Sequence, residues 1–197
     1  MSRLRFFAIW FTLAGIVLVA VSAAAASPLL AYREPVYIAA GLAGVVALAA
    51  MLFQPLLAGD ELPGLSPLRG RRLHRLIGAS LVSLVTLHVA ALWITSPPDV
   101  VDALLFRSPT WFSVWGVVAM WAVFATGLLY TRRTKMRPRT WRRFHTALAI
   151  IIVAATISHA MLIDGTMEAV SKIVLCTFVG LATLRLVIKR RLWAAKR

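Results

Sequence analysis

Apolar residues fall into six long runs separated by short polar or charged segments, at about 6–30, 36–57, 71–94, 111–130, 141–163 and 169–188. Each run holds roughly 20 residues or more, enough for a helix to cross a hydrocarbon core about 30 Å thick. The pattern predicts an all-α, polytopic membrane protein, a bundle of six transmembrane helices forming one domain over residues 1–197. The first run lies behind Arg3 and Arg5 and ends in VSAAAASP, which has the small residues of a signal-peptide cleavage site. Its length favours a retained helix. The second run is rich in Gly and Ala, which suits close helix contact. Between the third and fourth runs, a short amphipathic piece from Val100 to Phe106 is expected to lie in the interface. Trp111, Trp115 and Tyr130 mark the ends of the fourth run in the manner of an aromatic belt.

Composition supports the membrane reading. The chain is 60% hydrophobic with a mean hydropathy of +0.83, values rare for a soluble domain. The net charge of +15 raises the question of nucleic acid. The charges argue against it, because they cluster in short segments between apolar runs, where orientation signals and anionic lipid headgroups account for them. The N-terminus, the second and fourth loops and the C-terminal tail KRRLWAAKR carry nearly all the Arg and Lys. The first, third and fifth loops hold Arg33, Arg107, Asp99, Asp102, Asp164 and Glu168, with Lys172 just inside the sixth run. The positive-inside rule then puts both termini in the cytoplasm. The lone cysteine, Cys176, forms no internal disulfide, and there is no Cys cluster for zinc or an iron–sulfur centre.

The candidate chemistry lies in four histidines, which are all the chain has. His74 and His88 lie within the third run, and His145 and His159 within the fifth. Fourteen residues rotate a helix to about 40° short of four full turns and advance it about 21 Å, so both histidines of a run share one face at two levels. The third and fifth spans run parallel, which pairs His74 with His145 on the inner level and His88 with His159 on the outer. Between them the same faces carry Gly78, Leu81 and Val85, and Ala149, Ile152 and Thr156, side chains that leave room for flat rings. Two axial histidine pairs stacked across a membrane are the ligand set for two b-type haems. A single zinc or copper site would need the ligands within a few ångströms of one another, which the separation along each helix excludes. Histidines that merely hydrogen-bond between helices, or a transporter with structural histidines, are the competing readings. Polar groups at membrane depth are costly and usually functional, and four at matched spacing fit a cofactor role better.

Haem carboxylates need cations at the two faces. Arg71, Arg72, Arg75, Arg142 and Arg143 flank His74 and His145, and Arg33, Arg107 and Lys172 are the outer candidates. Trp93 is expected at the outer edge as an interface anchor.

The segment HRLIGASLVSLVTLH, with Arg75 and Gly78 after its first histidine, resembles the ferric reductase-like transmembrane family. So do WRRFH, 141–145, and HAMLIDGT, 159–166, at the two ends of the fifth run. The resemblance covers about the second to sixth spans. It implies two b haems carrying single electrons from the cytoplasmic side, or from a quinol, to an acceptor outside, in a multi-pass protein of the bacterial inner membrane. Oxidases and ferric-chelate reductases of that family add a flavin and nicotinamide domain. These 197 residues contain no G-x-G-x-x-G signature. The expectation is therefore an oxidoreductase membrane domain served by a separate flavoprotein, a flavin or a quinol. The chain also resembles the haem-binding subunit that serves a periplasmic methionine sulfoxide reductase. That group tends to have one histidine in the third span, so His74 sets this chain apart from it.

Overall fold

The computed structural model describes residues 3–195, with side chains described as far as Lys189. Most of the basic tail KRRLWAAKR therefore lies outside the described side chains. Among the described residues there is no strand, and six helices are long and apolar enough to cross a membrane. They are α1 (Arg3–Ala25), α2 (Pro35–Ala58), α3 (Pro67–Thr95), α5 (Trp111–Thr131), α6 (Pro138–Leu162) and α7 (Ala169–Ala195), with the short α4 (Pro97–Leu104) between α3 and α5.

Proline and its neighbours set the boundaries. α2, α3, α4 and α6 each have Pro in the first turn, where the missing N–H costs nothing. Pro67, preceded by Ser66 whose hydroxyl accepts from the Arg69 amide, starts α3 four residues before the apolar run. Pro138 starts α6 three residues before its own. The arginines expected in loops at these points thus stand on the first turns of helices. α1 stops at Ala25 rather than near residue 30, because Pro28 cannot continue the helix. The chain finishes the span as a 3-10 turn, Pro28–Leu30, capped by the Ser27 hydroxyl. The amphipathic piece begins at Pro97, three residues earlier than its apolar pattern suggests.

The helices form a ring in the order α2, α3, α5, α6, α7 and back to α2, with α1 outside against α2 and α7. The close-packed core lies on the α1, α2 and α7 side, centred on Leu52, Leu175 and Val179. α3 and α6 contribute far less to it. Only Gly70, Leu81 and Ala91 of α3 and Ala155 of α6 are buried. These two helices face each other across the ring without packing closely.

One loop fastens one face of the bundle. The Trp10 indole of α1 donates to the Pro63 carbonyl at 3.1 Å, and Phe6 packs against Gly64, whose φ of +79° suits glycine. From α7, Lys189 donates to the Gly59 carbonyl at 2.7 Å and pairs with Glu61 at 3.0 Å, while Arg185 pairs with Glu61 at 2.9 Å. The first turns of α1 and the last described side chains of α7 therefore meet at this basic face. At the far face, the Thr166 side chain fills the notch left by Gly41 of α2. Lys172, the buried outer cation of the sequence, donates to the Ile163 carbonyl at 2.7 Å and so closes the C-terminus of α6.

Burial alone raises the Glu61 carboxyl, but Lys189 and Arg185 outweigh it and hold the group below its ordinary 4.5. The latch therefore stabilises the fold above that pH and is lost as pH falls through the lowered value. Glu61→Gln should remove this acid-side dependence and cost about 1 kcal/mol or less at neutral pH, because the partners are partly exposed. Thermal unfolding in detergent across pH 3–7 measures both.

Candidate functional site

α2 and α3 are antiparallel neighbours, and so are α5 and α6, while α3 and α6 run parallel. This arrangement brings the four histidines together as two pairs in the middle of the ring. The His74 and His145 rings have centres 6.1 Å apart with planes at 76°. The His88 and His159 rings are 6.5 Å apart at 80°. All four are partly buried. Each pair joins α3 to α6, the two helices that otherwise do not pack closely.

Three of the rings are aimed by main-chain carbonyls on a neighbouring helix. His88 Nδ1 is 2.7 Å from the Ala40 carbonyl of α2, and His159 Nδ1 is 2.8 Å from the Phe112 carbonyl of α5. His74 Nδ1 is 3.2 Å from the Gln54 carbonyl, and the Gln54 amide donates back to the His74 carbonyl at 3.2 Å. A carbonyl only accepts, so each of these Nδ1 atoms carries the proton and Nε2 keeps the lone pair. That is the usual outer hydrogen bond of a metal-ligating imidazole. The fourth ring, His145, is stacked by Trp141 one turn earlier on α6, at 4.9 Å and an interplanar angle of 9°.

Two glycines make the outer pair possible. Gly44 lies one turn beyond Ala40, and a Cβ there would stand 3.2 Å from His88 Nδ1. Gly116 lies one turn beyond Phe112, and a Cβ there would stand 2.8 Å from His159 Nδ1 and 3.0 Å from Cε1. The imidazoles reach the carbonyls only because the next turn carries no side chain. These two glycines, Gln54 and the carbonyls of Ala40 and Phe112 are the site residues that sequence reasoning missed. Ala40 and Gln54 are fourteen residues apart, the spacing of His74 and His88, but only the structure marks which carbonyls are used.

The pair spacing has a chemical meaning. An imidazole nitrogen binds a metal at about 2.0–2.1 Å, so two imidazoles on opposite sides of one ion have ring centres roughly 6.3 Å apart. The observed 6.1 and 6.5 Å bracket that value. The residues present therefore fit an ion held between two axial imidazoles at each level, as haem iron is. Among the described residues, no three or more His, Cys, Asp and Glu side chains converge on one point.

The expected cations take several positions. Arg71, Arg72, Arg75, Arg142 and Arg143 are exposed on the second and third turns of α3 and the second turn of α6, at the level of His74 and His145. Arg75 also lies beside the Tyr130 hydroxyl of α5, together with Arg133, whose guanidinium is 4.1 Å from the Tyr130 ring centre. At the far face Arg33 stacks on Tyr37 at 5.1 Å, and Arg107 is exposed after α4. Trp93 is exposed at the far end of α3.

The family model described as ferric reductase like transmembrane component matches residues 40–156. This chain belongs to that family. The match runs from the carbonyl that orients His88 to just short of His159, and includes His74, His88 and His145. Membership makes it a multi-pass membrane protein with an electron-transfer role. Among curated proteins and solved structures, the comparisons find no match.

The glycine notches are separable by substitution. Gly116→Ala must push His159 off its carbonyl, whereas Gly44→Ala meets His88 at a distance that a small shift relieves. Gly116→Ala should weaken metal binding at the outer pair by about 10–100-fold, the usual cost of losing such an orienting bond, and Gly44→Ala by much less. Cofactor-to-protein ratios of the purified variants measure the difference.

Proposed function

We propose that this chain is a two-haem, b-type conduit that moves single electrons from the basic, cytoplasmic face of a bacterial inner membrane to an acceptor on the far face. The observation that carries the reading is the pair of facing imidazoles at each level, with centres at 6.1 and 6.5 Å, and with Nδ1 of His74, His88 and His159 given to a carbonyl. His74 and His145 would hold the inner haem, and His88 and His159 the outer one. Bound there, each haem would supply a one-electron iron couple.

The chain's own residues do the rest. The carbonyls of Gln54, Ala40 and Phe112 keep the proton on Nδ1, so Nε2 stays neutral and able to ligate. Apolar Leu81, Val85 and Ile152 line the faces between the levels and hold water away. Arg71, Arg72, Arg75, Arg142 and Arg143 stand where the inner carboxylates would meet the polar face, and Arg33 and Arg107 do the same outside. The donor in this reading is a separate flavoprotein, a flavin or a quinol. A second reading keeps the conduit and changes the acceptor: the chain would be the haem-binding subunit of a separate periplasmic reductase, such as a methionine sulfoxide reductase.

A dithionite-reduced-minus-oxidised spectrum with a haem-to-protein ratio tests the conduit, with about two b haems per chain expected. His88→Ala should lose one haem and all outward electron transfer. Retention of both haems in that variant would overturn the pairing. Independently, imidazole planes at 76° and 80° would leave the two d orbitals of a bound iron that overlap them almost equal in energy. The ferric protein should therefore give strongly anisotropic low-spin electron paramagnetic resonance signals at both sites. An ordinary rhombic spectrum would mean that the planes lie parallel.

A further inference from the structure

Trp141 is the unusual residue of the basic half. Its indole lies flat against the His145 imidazole, 4.9 Å between centres and 9° between planes. The ring is only partly buried, yet its Nε1 is sealed from solvent and has no hydrogen-bond partner. It is the one buried side-chain nitrogen or oxygen among the described residues in that condition. Indole N–H groups nearly always find an acceptor when buried, and one that does not calls for an explanation. The Trp10 indole, by contrast, donates to the Pro63 carbonyl at 3.1 Å.

The surroundings define what the acceptor would be. Trp141 stands on the first turn of α6, one turn closer to the basic face than His145. Arg142 and Arg143 follow it, and Arg71, Arg72 and Arg75 occupy the same level of α3. Five exposed arginines at this level of α3 and α6 make the face around Trp141 strongly basic, which favours an anion over a neutral carbonyl such as a quinone headgroup. The outer level has no counterpart. There Phe112, which has no donor, packs on His159 at 6.0 Å and 64°.

We infer that Trp141 is a binding residue for a carboxylate of the inner porphyrin: its indole N–H is the hydrogen-bond donor to that group, while its ring braces the His145 imidazole. The inference rests on the di-haem reading and adds to it a residue that ties porphyrin to protein at the inner level alone. One rigid side chain would then hold both the imidazole and, through its N–H, the carboxylate at the basic face.

The test compares full-length protein and Trp141→Phe, which keeps the stacked ring and removes the donor. Each is made under haem limitation and loaded with protohaem or with its dimethyl ester. Wild-type protein should prefer the free acid at the inner site, and Trp141→Phe should lower that preference about tenfold, as expected for a hydrogen bond to a charged group. An unchanged acid-to-ester preference, in protein that still binds two haems, would overturn the inference and leave Trp141 a stacking residue only. An unchanged preference accompanied by loss of quinol oxidation would also overturn it, in favour of a quinone acceptor. Wild-type protein that takes up no haem would instead sink the di-haem reading itself. A measurement on the unaltered chain guards against a variant that does not fold. The indole N–H band in the ultraviolet resonance Raman spectrum should shift on loading with protohaem and not with the ester. No difference between the two would equally overturn the inference.

Discussion

A neutral imidazole at membrane depth has one donor and one acceptor, and lipid answers neither. The bundle is organised by how the donor is answered. For His74, His88 and His159 it goes to a main-chain carbonyl on the helix next door. A carbonyl is fixed by its helix and cannot turn away as a side chain can. The orientation of the rings is thereby tied to the register of α2 on α3 and of α5 on α6. The glycines at 44 and 116 follow from the same demand, since the ring must come within hydrogen-bonding distance of another helix's backbone. So does the exchange between Gln54 and His74, in which two antiparallel helices each give and receive one bond.

Rigidity is unevenly spread around that arrangement. α1, α2 and α7 share the apolar core, and the loop from Gly59 to Ser66 fastens α1 and α7 to the basic face through Pro63, Gly64 and Glu61. α2 belongs to this rigid side and also presents two of the orienting carbonyls. α3 is thus held to the core by hydrogen bonds at its two histidines as well as by packing. α6 is held differently, with Trp141 against one histidine, the Phe112 carbonyl against the other and Lys172 closing its far end. The far level is further marked by its two glycine notches, at Gly44 and Gly116.

Much of this was legible in the sequence. Length and hydropathy were enough to reveal six spans, because a membrane admits so few backbone solutions. The spacing of His74, His88, His145 and His159 was enough to reveal which rings share a level, because helical rotation is regular. The helix starts were misjudged by three or four residues where polar turns such as SPLRG and RPRT extend a helix beyond its apolar run. Proline at the first position is the cue that hydropathy ignores. The carbonyl acceptors escaped because every residue has a carbonyl, and side-chain identity does not mark the one that is used. Gly116 escaped for a related reason: a glycine in a membrane helix has many uses, and only its position opposite His159 selects one. The stacking of Trp141 required knowing which rotamer the indole adopts, which no spacing rule supplies.

The matched interval on α2 and α3 makes this pair of helices a ruler. Ala40 and Gln54 stand as far apart as His88 and His74, and they meet in antiparallel order. A single residue inserted between Ala40 and Gln54 would turn one carbonyl about 100° away from its ring while leaving the other in place. An insertion of seven would restore the facing but move the levels apart by roughly 10 Å. The stretch of α2 between the two levels has one permitted length.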